Sequence, residues 1–409
     1  VGGSIPPHTT KPQHLLRLFY FILPYLYTMK KRYLLLPVLA FLWVAYLTIA
    51  SSGRVKTTEN IYPRYVIGHV KSYGMRTGHG NIIALSPYLH TYDFSTRESF
   101  RGMLHYYLSF ARQQGLLNDS TIVVLPEYIG TWLVAANEKK SVYKDTSIHD
   151  AMQTMVLSNL FKFGYAYLTA DAKDKQAAAV FRMKSTAMRD IYQDAFASVA
   201  KEFNVTLVAG SIVLPEPTAA DGQIKIKRNG RLYNATAVFG PDGRVLSPLT
   251  LKEFPIQEEQ AFTAAAALQK WPVYTTPAGR LAVAICADAW YPEVYRKLGQ
   301  QQIDILAVPS FVGGDSAWTK RWNGYNGAPT PTDVANADIG TLTEREAWLK
   351  YGMTGRISGT NIPVGVNVFL RGDLWKMGSD GHTLLWHQAQ PQETITPANA
   401  TGSLVNIWL

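Results

Sequence analysis

The 409-residue chain is 47% hydrophobic and 17% charged, with one cysteine and a formal net charge of +10. This balance excludes a disordered chain and leaves room for one large or two ordinary domains. The lone Cys286 excludes an internal disulfide, a multi-cysteine zinc site and a cysteine-held iron–sulfur cluster.

The charge is unevenly placed. Residues 1–58 hold seven basic and no acidic side chains, so the remainder stands at only +3, and the scattered basic residues of the body give no case for nucleic acid. From Tyr33 to Ala50 the chain runs eighteen residues without a formal charge, directly after Lys30, Lys31 and Arg32. At 1.5 Å per residue this nearly spans a bilayer core, and the basic cluster before it keeps that end cytoplasmic. The expectation is a signal anchor or transmembrane helix over residues 29–52, with the membrane as partner and the body extracytoplasmic, on the periplasmic or secretory-lumen side. Met29 reads as a natural start, which makes 1–28 an upstream extension or a short apolar segment. Residues 53–61 read as a linker, and 62–409 as a single domain.

Within the body, short β-rich runs alternate with amphipathic stretches. Strands are predicted at 81–88, 121–127, 205–213, 232–240, 280–286, 304–310 and 363–369, with helices at 97–114 and 177–203. Pro241-Asp242-Gly243 supplies a hairpin turn. Alanine-rich 261–270 reads as a short helix, and the aromatic stretch 317–326 as a loop that lines or covers a pocket, or lies on the surface. The alternation predicts a layered α/β fold.

Three apolar runs lead to ionisable residues: TIVVLP to Glu127, SPLTL to Lys252 and RLAVAI to Cys286. A carboxylate, an ammonium and a thiol make a complete set for acyl transfer. The thiol attacks, the carboxylate moves its proton, and the ammonium with the Ala287 N–H holds the oxyanion. Taken one at a time, each also reads as a buried small hydrophobe, a solvated strand end or a surface lysine. No histidine pair has metal-ligand spacing and no phosphate-binding glycine loop appears, so no metal or cofactor is expected. Asn118, Asn204, Asn234 and Asn399 stand in glycosylation sequons, Asn234 within a predicted strand.

The wording around the three residues resembles the nitrilase superfamily of carbon-nitrogen hydrolases: VVLPEY at Glu127, LYNATAVFGPDGRVLSPLTLKEF at Lys252 and LAVAICADAWYPEVYRKL at Cys286, in the family order. The resemblance implies a four-layer α-β-β-α sandwich with pseudo-two-fold halves, and subunits paired face to face as a homodimer. It also implies a second active-site glutamate shortly after the lysine, with Glu253, Glu258 and Glu259 as candidates. Glu259 is assigned to catalysis with Glu127, Lys252 and Cys286. Ala287, Glu258, Asp288 and Trp290 are assigned to substrate binding. Ala287 and Asp288 depart from the aromatic and glutamate common after the family's cysteine, which bears on substrate rather than on chemistry. The implied function is hydrolysis of a small-molecule amide through a cysteine thioester. The alternatives are N-acyl transfer of the apolipoprotein N-acyltransferase kind, nitrile hydrolysis, and a catalytically silent membrane-held scaffold.

Overall fold

The computed structural model describes residues 31–56, 65–394 and 400–409, with side chains from residue 35 onward. The reading of 1–28 as an extension lies outside the described residues. The chain divides between Ser52 and Gly53 into two compact units.

In the first unit, Lys31–Ser51 forms one helix with Pro37 inside it. Its described apolar side chains are largely exposed, among them Leu36, Leu39, Leu42 and Val44. Among the described residues, however, no helix is long and apolar enough to cross a membrane. The predicted transmembrane helix is therefore not shown as a span.

The second unit is built on two six-stranded sheets. One runs in the order Ile67–Tyr73, Gly402–Trp408, Asn81–Ser86, Thr121–Val124, Thr206–Val208, Val238–Phe239. The other runs Val273–Thr276, Gly279–Val283, Ile305–Ser310, Val364–Phe369, Thr383–His387, Gln390–Thr394. Their facing sides share one dry core, in which Ile82, Val124 and Val208 of the first sheet join Leu281, Val283 and Val366 of the second. The outer side of the first sheet packs on helices Arg97–Gln113 and Lys175–Phe203. That of the second packs on Pro292–Gly299, Glu344–Tyr351 and Met353–Ile357. Four layers, α-β-β-α, result. The inner strands are buried on both faces, which is why they read as unbroken apolar runs rather than alternating ones.

Local signals set the helix ends. Thr96 accepts from Ser99 N to start the helix at Arg97, and Asp174 accepts from Gln176 N and Ala177 N to start the one at Lys175. The latter ends at Asn204 in the left-handed conformation. The helix expected over 261–270 does not form. Its backbone turns outward, with Ala264 N donating to Leu232 O and Ala266 N to Lys252 O, so pairing with the site strands overrides alanine propensity. The described start of the linker is tied to the body. Val55 N donates to Glu138 O at 2.9 Å, and the Arg54 guanidinium reaches the Ser158 carbonyl at 2.9 Å.

Candidate active site

Each of the three ionisable residues follows the end of a strand. Thr121–Val124 ends before Leu125-Pro126, since proline has no N–H to continue the ladder, and Glu127 comes next. A small third sheet, Thr250–Leu251 beside Leu232–Thr236 and Ile212–Pro215, delivers Lys252 and Asn234. The strand Gly279–Val283 leads through Ala284 and Ile285 to Cys286, which begins a short 3-10 turn with φ near +50°. A non-glycine residue rarely holds that backbone, and such strain recurs where a reactive side chain must be presented at a turn.

The charged groups meet in a buried cluster. Lys252 Nζ lies 2.8 Å from Glu127 Oε1 and 2.6 Å from Glu259 Oε2. The Asn234 amide donates to both carboxylates at 2.9 Å, and the Tyr128 hydroxyl donates to Glu259. Ile256 N also donates to Glu259 at 3.0 Å. The Cys286 thiol donates a long hydrogen bond to the Phe311 carbonyl, 3.8 Å from Sγ, and lies within the electrostatic influence of Glu127, Lys252 and Glu259.

Burial and charge set the protonation states. Burial pushes the Glu127 carboxyl up despite the opposing Lys252 ammonium, with Glu259 adding to the rise. Glu259 goes the other way: burial would raise it, but Lys252 and its hydrogen bonds hold it below the usual carboxylate range. Burial alone would lower Lys252, yet the two carboxylates outweigh it and keep the ammonium charged well beyond neutrality. The Cys286 thiol is pushed well up by burial and then by Glu127. The Cys286 thiol is thus neutral at rest, in the field of a carboxylate with elevated proton affinity. The two carboxylates flanking Lys252 diverge in proton affinity, Glu127 upward and Glu259 downward.

The cavity over Cys286, about 240 Å³, is lined by Ala287 and Trp290 from the elbow, by Phe311, and by Trp322, Tyr325 and Asn326 of the aromatic loop. Two assigned substrate-binding residues lie elsewhere. Asp288 does not line the cavity; fully buried, it accepts from Glu253 N at 3.0 Å, Phe254 N at 2.8 Å and Ile285 N at 3.1 Å, clamping the cysteine turn to the lysine loop. Burial raises its carboxyl to about 7 against the pull of Lys252 and those N–H groups. Glu258 is exposed and accepts from the Asn326 amide at 2.8 Å, while its neighbour Glu259 enters the cluster.

Three cluster members were not singled out for the site from sequence: Asn234, Tyr128 and Phe311. An amide in the middle of an apolar strand was the available signal for Asn234, which reads locally as a sequon; the structure buries it. Among the described residues, no group of three or more His, Cys, Asp or Glu is placed to hold a metal ion.

Together these features define a four-layer α/β protein whose paired sheets bring a Glu–Lys–Glu cluster to a strained cysteine. Residues 119–325, just over half of the chain and including Glu127, Lys252, Glu259 and Cys286, match the carbon-nitrogen hydrolase family, to which the chain belongs. Among curated relatives, it is 29% identical over 135 residues to a deaminated glutathione amidase of Synechocystis, covering 31% of this chain and 46% of that protein. It is 31% identical over 117 residues to human omega-amidase NIT2, covering 27% and 38%. These matches span less than half the length of either relative. Among solved structures, an amidase of the nitrilase superfamily from Nesterenkonia AN1 aligns with a TM-score of 0.49 at 13% identity, covering 82% of this chain and 93% of that one.

Proposed function

We propose that the protein hydrolyses a small-molecule amide through a thioester on Cys286. The observation that carries this reading is the Lys252 ammonium held between Glu127 and Glu259, in a buried cluster whose charges all act on the Cys286 thiol. As Sγ attacks the amide carbon, its proton passes to Glu127. Negative charge moves to the substrate oxygen, where Lys252 and the Ala287 N–H receive it. Glu127 then protonates the departing amine, leaving the thioester. In the second half, Glu127 takes a proton from water as the hydroxyl attacks the thioester carbon; the C–S bond then breaks, the carboxylic acid leaves, and Glu127 returns its proton to Cys286 Sγ. The buried charge is conserved through each transfer, which limits the desolvation cost of forming a thiolate in a dry site. The curated relatives are named as amidases, which favours an amide over a nitrile.

Intact-mass measurement tests this. Glu127→Gln cannot take the proton from water, so incubation with reactive amides or esters should leave an acyl adduct that maps to Cys286, while the wild type turns over without accumulating it. An adduct on another residue, or none with any acyl donor, contradicts the thioester route.

The reading extends to membrane attachment through the apolar helix Lys31–Ser51, with the body on the extracytoplasmic side. It is supported by the exposed Leu36, Leu39, Leu42 and Val44 of that helix, and by exposed apolar side chains on the body at Leu157, Tyr165 and Leu168. In cell fractionation, the full chain should stay with membranes through a carbonate wash, and a Leu39→Asp/Leu42→Asp variant should move to the soluble fraction. A soluble wild type overturns the attachment.

A further inference from the structure

The cavity over Cys286 has a lopsided chemistry. Its walls are aromatic, with Trp290, Trp322, Trp348, Tyr325 and Phe311, and the one formal charge among its lining residues is the carboxyl of Glu344. The rings form a connected wall rather than isolated contacts. Trp290 lies 5.7 Å from Trp322 and 4.8 Å from Trp348 between ring centres, and Trp322 lies 5.8 Å from Tyr325. Glu344 opens the helix Glu344–Tyr351 and is half-buried. Burial raises its carboxyl, a pull that only the Trp348 side chain is seen to oppose, and no cation figures among the groups that shift it. The guanidinium groups around it are committed elsewhere: the adjoining Arg345 pairs with Glu393, Arg356 pairs with Asp333 and donates to the Tyr325 hydroxyl at 3.1 Å, and neither lines the cavity. At the mouth, Asn326 is held by a second carboxylate, Glu258.

An aromatic wall closed by a single unbalanced carboxylate attracts a cation, because ring faces and the carboxylate both present negative potential in a partly dry space. A carboxylate-bearing acyl group would meet Glu344 there with no guanidinium or ammonium to receive it. We propose that the acyl portion of the substrate carries a cationic group, a protonated amine or quaternary ammonium, seated among Trp290, Trp322 and Trp348 with Glu344 as its counter-charge. This rests on the amide-hydrolase reading and specifies its substrate class.

Three primary amides of matched length test it with the full-chain protein: butanamide bearing a terminal trimethylammonium, its neutral tert-butyl isostere, and the corresponding terminal carboxylate. Ammonia release should give a kcat/KM for the cation at least about tenfold above the isostere and about a hundredfold above the carboxylate. Glu344→Gln should reduce the cation-to-isostere ratio by about tenfold. A ratio near or below one in the wild type, or a ratio that Glu344→Gln leaves unmoved, overturns the assignment while the hydrolase reading stands. No ammonia from any of the three, together with no adduct on Cys286, overturns both.

Discussion

Replacing Cys286 by alanine is expected to lower amide turnover by at least about four orders of magnitude, since removal of a nucleophile from a concerted set costs as much as removing the set. The fold should survive. The substitution deletes one buried sulfur atom whose hydrogen bond is a long one to the Phe311 carbonyl. Alanine bears the same β-carbon at the positive φ, so the strain of the turn is unchanged. Circular dichroism and a melting midpoint within about 3 °C of wild type would separate loss of chemistry from loss of structure. Cys286→Ser should be nearly as inactive, because a hydroxyl is a far weaker acid than a thiol and Glu127 would have to deprotonate it in the same dry space. Substantial turnover by the folded alanine variant would remove the thioester from the mechanism and leave Glu127 to activate water directly.

How much of this could be read beforehand depended on whether a residue's role was local or tertiary. Glu127, Lys252 and Cys286 each follow an apolar run, which places them at strand ends, but what made them legible was the resemblance of the segments around them to the nitrilase superfamily. Glu259 was not separable from Glu258 by pattern: the two adjoin, and only the short helix Gln257–Gln260 decides which carboxylate turns inward to Lys252 and which to Asn326. Asp288 follows the nucleophile closely enough to suggest the pocket. Yet the 3-10 turn directs its oxygens back to Ile285 N and across to Glu253 N and Phe254 N, a long-range contact with no sequence signature. The segment 261–270 fails for a related reason. Its alanines favour helix in isolation, but the carbonyls of Leu232 and Lys252 offered its N–H groups partners in the fold.

Lys252→Met is expected to produce the largest loss of stability of any single change in the cluster. Methionine fills the same length without charge, so Glu127 and Glu259 would face each other while buried, with hydrogen bonds from Asn234, Tyr128 and Ile256 N but no counter-ion. Breaking one side of a buried ion pair costs about 3–5 kcal/mol, which for a domain of this size lowers the melting midpoint by roughly 5–15 °C. The pH dependence carries the diagnosis. In the wild type, Lys252 holds Glu259 below its usual range, so that contribution is present above the unfolded carboxylate pKa and is lost on acidification through the folded value. Without the ammonium, burial and mutual repulsion raise both carboxyls above their unfolded values. Stability is then greatest at low pH and falls as pH rises through the folded values. The deficit relative to wild type should therefore widen between pH 5 and pH 8. Adding Glu259→Gln removes one of the stranded charges and should recover part of the midpoint, but not turnover, because the oxyanion still lacks its ammonium. Melting curves of wild type, the single variant and the double variant across that pH range decide the matter. A midpoint deficit that does not vary with pH, or a double variant no more stable than Lys252→Met, would mean that Lys252 stabilises the fold by packing rather than as the charge that keeps two carboxylates buried beside a thiol.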